Sequence, residues 1–135
     1  MNPSEIQAIT PYDLDLAAIP DLTWLPWVGQ NYADLAPGRK VLIVGESHYS
    51  SKEDPVDSAE EIASYLNDPN STREMVEGAL INWTWPHIST LANLHQLLFS
   101  PGNPEEFWGE LCYYNFIQRP MRYRTTPPER PTWED

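Results

Sequence analysis

Lys40-Val41-Leu42-Ile43-Val44-Gly45-Glu46-Ser47-His48-Tyr49 is the stretch that decides the fold. Four branched apolar residues follow a basic pair and run straight into glycine. An apolar run this short and uniform predicts a strand buried on both faces, as in a parallel sheet. Gly45 lets the chain turn sharply, or approach a ligand closely, where the strand ends. Glu46, Ser47, His48 and Tyr49 then fall together at the carboxyl end of that strand, where open α/β sheets place their ligand crevice.

Working outward, Cys112-Tyr113-Tyr114-Asn115-Phe116-Ile117 is aromatic and β-branched and predicts a second buried strand. Helical signals lie between the two. Ser58-Ala59-Glu60-Glu61 and Ser71-Thr72-Arg73-Glu74 have the capping-box pattern, the first followed by an apolar face of Ile62, Ala63, Tyr65 and Leu66. His87 to Phe99 predicts a helix with Ile88, Leu91, Ala92, His95 and Leu98 along one face. Asn103-Pro104-Glu105-Glu106 opens another, with Phe107, Trp108 and Leu111 inward. Strand, helices, strand is the order of an α/β unit with parallel strands.

Two strands do not make a stable sheet. Further strands are therefore expected within segments that read as loop, or in a domain continuing past Asp135. Residues 1–22, acidic and spaced by Pro3, Pro11 and Pro20, read as an extended arm with room for one helical turn; residues 23–135 read as the α/β domain. In Trp24-Leu25-Pro26-Trp27-Val28-Gly29 the proline excludes a helix interior. The two tryptophans are expected to pack an irregular loop onto the core, with a stacking platform for a base or sugar ring as the functional alternative. From Met121 onward the chain is rich in arginine and proline and reads as loop.

The 135 residues carry 41% hydrophobic residues and a net charge of -12, enough for one folded domain with an acidic surface. That balance opposes non-specific binding to nucleic acid or an anionic membrane. Four of the eight basic residues, Arg119, Arg122, Arg124 and Arg130, nevertheless gather near the end of the sequence and offer a local basic strip. The single cysteine, Cys112, excludes a disulfide framework. With no signal-peptide pattern and no membrane-length apolar run, a cytoplasmic protein is expected.

Val41 to Tyr49, Tyr113-Tyr114-Asn115-Phe116-Ile117-Gln118 and Arg130-Pro131-Thr132 together resemble the uracil-DNA glycosylase superfamily. The likeness is strongest to its bacterial "uracil-DNA glycosylase-like" branch, which shares a Gly-Glu-Ser-His-Tyr turn and an Asn-Phe/Tyr-x-Gln strand end. Trp27-Val28-Gly29-Gln30-Asn31-Tyr32 fits the pattern before them. The resemblance implies a three-layer α/β domain with a central parallel sheet, incomplete on its C-terminal side. It implies catalytic roles at Glu46, Ser47 and His48, with Ser47 standing where the best-known family has a water-activating aspartate. It implies a pyrimidine pocket shaped by Tyr49 and read by Asn115 beside Phe116. The late histidine loop of the active families does not occur in the sequence, so little or no base excision is expected.

The residues make a chemical case of their own. Breaking an N-glycosidic bond develops positive charge on the sugar and negative charge on the base. A carboxylate such as Glu46 orients water or steadies the first charge; donors such as Tyr49, Asn115 and the amides after Gly45 steady the second. Enzymes acting on a base take it out of the stack and read its polar edge. Arg119, Arg122 and Arg124 would hold phosphates of single-stranded or damaged DNA. No metal or other cofactor is called for: His87 and His95 share a helix face, but no acidic or sulfur ligand joins them at metal spacing. Against this stand plainer roles, with Glu46 capping a turn, His48 fixing the loop, Asn115 satisfying backbone groups, and the arginines solvated. Two other classes of function compete. Ser47 as a nucleophile would make an ester hydrolase similar to the SGNH enzymes, and the acidic surface would suit a non-catalytic module that binds a protein partner.

Overall fold

The computed structural model describes residues 6–49, 58–81, 89–99 and 102–121. In chain order these form α1 (Asp13–Ala17), β1 (Trp27–Val28), two 3-10 turns (Tyr32–Asp34 and Pro37–Arg39), β2 (Val41–Gly45), β3 (His48–Tyr49), α2 (Ala59–Asn67), α3 (Ser71–Ile81), α4 (Ser89–Phe99), α5 (Pro104–Gly109), β4 (Leu111–Asn115) and β5 (Pro120–Met121). The architecture is mixed α/β. A three-stranded sheet has the order β1-β4-β2, and β3 and β5 form a separate pair. None of the described helices is long and apolar enough to cross a membrane.

β2 and β4 run parallel, in register from Val41 opposite Leu111 to Gly45 opposite Asn115. β1 lies antiparallel on the other side of β4, Trp27 opposite Tyr113. The sheet is therefore mixed, and its third strand lies in the tryptophan segment that read as irregular loop. Two residues that follow a proline carry no alternation for a strand to be read from. The tryptophans pack as expected: Trp24 and Trp27 are fully buried, and the Trp27 indole N–H donates to the Trp108 carbonyl at 2.8 Å.

β2 departs from its expected double burial. Leu42 and Val44 are 53% and 50% exposed. They lie opposite Cys112 and Tyr114 on one face of the sheet, while Ile43 packs toward the core on the other. Among the described residues β2 is an edge strand, and a uniform apolar run does not reveal that only one face is covered. β4 is shorter than read: Phe116 and Ile117 lie beyond it, and Leu111, Tyr113 and Asn115 alternate inward with period two.

The core gathers Ile6, Trp27, Val76, Phe107, Trp108, Leu111 and Tyr113, with Ile43, Met75, Leu91, Leu94 and Phe99 against it. Phe107 meets Phe99 and Trp108 edge-on at 5.2 Å each, and Trp108 meets Tyr113 edge-on at 5.8 Å. α5 begins as the sequence reads, with Asn103 and Glu106 forming a reciprocal cap. Ser58 and Glu61 do the same for α2. The second expected box does not form. Ser71 is already inside α3, and its hydroxyl donates back to the carbonyls of Tyr65 and Asp68. Tyr65 and Leu66 of α2 are exposed, as are Leu97 and Leu98 of α4, so Leu98 is not on the packed face assigned to it; Leu94 and Phe99 pack there instead.

The N-terminal segment is fastened to the domain. Ile6 is buried, and Ile9 N–H donates to the Val28 carbonyl at 2.9 Å. Asp13 of α1 receives two hydrogen bonds from Arg73 of α3, at 3.0 and 2.6 Å. Arg73 is itself buried and also donates to the Pro26 carbonyl.

Candidate functional site

The carboxyl ends of β2 and β4 lie side by side because the two strands are parallel and in register. Hydrogen bonding continues past them: Phe116 N–H donates to the Gly45 carbonyl and Ile117 N–H to that of Glu46, both at 2.9 Å. Glu46 and Phe116, far apart in sequence, are thereby held next to each other on adjacent chain segments.

Asn115 is the buried polar centre of this arrangement, only 1% exposed. Its Oδ1 accepts from the Tyr113 hydroxyl at 2.8 Å, and its Nδ2 has no hydrogen-bond partner among the described residues. Gly45 makes the close approach possible. A Cβ there would overlap the Asn115 amide oxygen and stand 2.5 Å from the Tyr113 hydroxyl. Gln118 secures the exit from β4, donating to the Asn115 carbonyl and accepting from Trp24 N–H.

Phe116 follows the buried asparagine and is an exposed aromatic residue, 67% accessible. Glu46 is exposed beside it. Ser47 places its hydroxyl in the interior without a hydrogen-bond partner among the described residues, and it is not bonded to the adjacent histidine. The His48 ring instead packs on Trp24, centroids 4.5 Å apart, with Nε2 3.3 Å from the Thr72 hydroxyl. Burial pushes the His48 pKa down to about 4, so the ring is neutral near pH 7. There it has no proton to donate as an imidazolium, and its ring contacts anchor the turn to α3.

Tyr49 is in β3, opposite Met121 of β5. Arg119 donates to the Pro120 carbonyl at 3.5 Å, close after the Asn115–Gln118 turn. Arg122, Arg124 and His87 lie outside the described residues. The structure thus brings Gly45, Glu46, Asn115 and Phe116 together at one strand end, and gives Ser47 and His48 inward positions behind it. Among the described residues, no group of three or more His, Cys, Asp or Glu side chains is placed to hold a metal ion. Cys112 lies in β4 opposite Leu42, and burial pushes its thiol pKa up to about 11, so it stays protonated.

Sequence reasoning missed Tyr113 as the partner of Asn115, and Trp24 and Thr72 as the partners of His48. The first was readable: residues 113 and 115 of one strand share a face. The others meet only through tertiary packing.

No protein-family model, curated protein or solved structure matches this chain.

Proposed function

We propose that the paired ends of β2 and β4 form a nucleobase-binding site of the uracil-DNA glycosylase kind, on a three-layer α/β domain, with hydrolysis of the base–sugar bond as its chemistry. The observation that carries this reading is the Asn115 amide: nearly fully buried, fixed at its oxygen, with Nδ2 unpartnered among the described residues. Leaving a buried donor unpaired costs about 1–3 kcal/mol, and a base edge presenting an acceptor would recover it. Phe116 supplies the aromatic face on which a base out of its stack would rest. Glu46 supplies a carboxylate beside it, able to orient water or steady charge on the sugar.

Single-stranded DNA is the fitting substrate, because the unstacking cost is least and the acidic chain repels a highly charged duplex. Arg119, Arg122 and Arg124 are the residues to meet its phosphates. Catalysis is expected to be slow. Charge on the departing base needs preorganised donors, each worth about a hundred- to a thousand-fold in rate, and Asn115 Nδ2 supplies one.

The test is a single-turnover assay on a uracil-containing single strand. Little release of free uracil is expected, and what release occurs should fall about a hundred-fold in Asn115→Ala and about ten-fold or more in Glu46→Gln. Base-dependent binding without release would make the protein a binding module. Release indifferent to both changes, or no base-dependent binding, would overturn the reading.

A further inference from the structure

β2 turns one edge of its backbone to β4, and no strand among the described residues pairs with the other. Phe116 N–H donates to the Gly45 carbonyl. By strand alternation Val41, Ile43 and Gly45 direct their backbone groups to β4, and Leu42 and Val44 direct theirs to the open edge. Sheet edges are usually guarded by charge or proline, and Val41 to Gly45 holds neither. The flanks are charged with opposite sign: Lys40 precedes the strand and Glu46 follows it, both exposed. The run from Lys40 to Glu46 is therefore symmetric in length and antisymmetric in charge about Ile43.

We propose that this edge is a self-association surface, on which β2 pairs antiparallel with β2 of a second copy about a two-fold axis at Ile43. Centred there, Leu42 stands opposite Val44 of the second copy on both sides of the axis. Their edge-facing N–H and C=O groups exchange hydrogen bonds, and their half-exposed side chains pack across the strands on one face of the joined sheet. At both ends Lys40 stands opposite Glu46 of the second copy. Centring the axis on Leu42 or Val44 instead shortens the overlap and separates these charges. A parallel arrangement in register would set Lys40 beside Lys40 and Glu46 beside Glu46. Charge thus selects the antiparallel register, and a two-fold interface closes on itself at the dimer. In the single copy the Lys40 ammonium lies over the Tyr32 ring and donates to the Ala33 carbonyl, exposed contacts that a long side chain can exchange. The net charge of -12 on each copy opposes association and keeps the dimer weak. The proposal stands apart from the base-binding reading and does not need it.

The test is sedimentation equilibrium of the full chain at about 0.15 M salt, where exposed charges still act over about 8 Å. The wild type should show a monomer–dimer equilibrium in the micromolar to millimolar range. Lys40→Glu and Glu46→Lys each set like charges across both ends of the pairing, and each should weaken dimerisation about ten-fold or more. Mixing the two variants restores opposite charges at both ends of a mixed pair, so a heterodimer should form with about the wild-type constant. Both variants remain acidic, so net charge does not draw them together. Val44→Pro removes an N–H that faces the open edge and spares the ladder with β4, and should abolish association. If circular dichroism shows that this variant has lost its fold, the mixing experiment decides. A wild type that stays monomeric at about 1 mM overturns the proposal and leaves the edge to another occupant. A dimer indifferent to both charge changes, a mixture that stays monomeric, or a folded Val44→Pro variant that dimerises like the wild type overturns it equally.

Discussion

Gly45 and Asn115 are register partners at the ends of β2 and β4, and the place a side chain at position 45 would occupy is filled by the Asn115 amide oxygen. Gly45→Ala therefore has to displace the amide, the Tyr113 hydroxyl, or both. We expect a loss of about 1–3 kcal/mol, the usual cost of forcing a methyl group into a packed site. The urea midpoint measures it. Gly78→Ala in α3 is the control: nothing lies within 4 Å of where its Cβ would stand. That change should stabilise by about 0.5–1 kcal/mol through helix propensity.

Phe116 separates binding from folding. It is largely exposed, so Phe116→Ala should change stability by no more than about 0.5 kcal/mol. Loss of a stacking face should weaken binding of a uracil-containing single strand by about 1–3 kcal/mol. Fluorescence anisotropy on the oligonucleotide, paired with urea denaturation, measures both. Equal affinity in the variant would remove Phe116 from the site.

His48 makes stability depend on pH in a defined window. Its pKa falls from 6.5 to about 4 on folding because the ring is buried. The unfolded chain therefore binds the extra proton first as the solution is acidified. The stabilisation is fully present above pH 6.5 and is lost as pH falls toward 4, by about 3 kcal/mol in all. Urea denaturation between pH 7 and pH 4 should show the slope, and His48→Gln should flatten it.

The Arg73–Asp13 pair acts lower on the pH scale. The hydrogen bond from Arg73, with its charge, holds the Asp13 carboxyl below its ordinary 3.8 despite opposing desolvation. This contribution is present above pH 3.8 and is lost as pH falls through the lowered value. Arg73→Ala at neutral pH strands the Pro26 carbonyl and frees α1. With the side chains of Arg73 and Asp13 8% and 27% exposed, a cost of about 2–4 kcal/mol is expected. Protease cleavage within residues 6–22 should accelerate in the variant.

Much of this frame could be read from the chain. The run from Val41 to Gly45 carries its strand in its own composition, and Asn103-Pro104-Glu105-Glu106 carries a helix start through local capping chemistry. The parallel pairing followed from the helices between two strands. What escaped was non-local. Trp27 and Val28 become a strand only because β4 offers its free edge. The exposure of Leu42 and Val44 depends on which face other elements cover, and the sequence of a strand does not state that. In the candidate site, Glu46, Asn115 and Phe116 were legible from their places at strand ends. The inward roles of Ser47 and His48 were not, since the Trp24 and Thr72 contacts that define His48 join residues 24 positions or more apart.

The central claim is that a nucleobase binds where β2 and β4 end together. Titration of isotopically labelled protein with free uracil, followed by nuclear magnetic resonance, locates binding residue by residue. The account predicts saturable shifts of the Asn115 side-chain amide, with the backbone amides of Gly45, Glu46 and Phe116 moving along the same isotherm, and loss of the response in Asn115→Ala. Uracil that leaves the Asn115 amide unmoved, or that shifts only residues away from these strand ends, would contradict it.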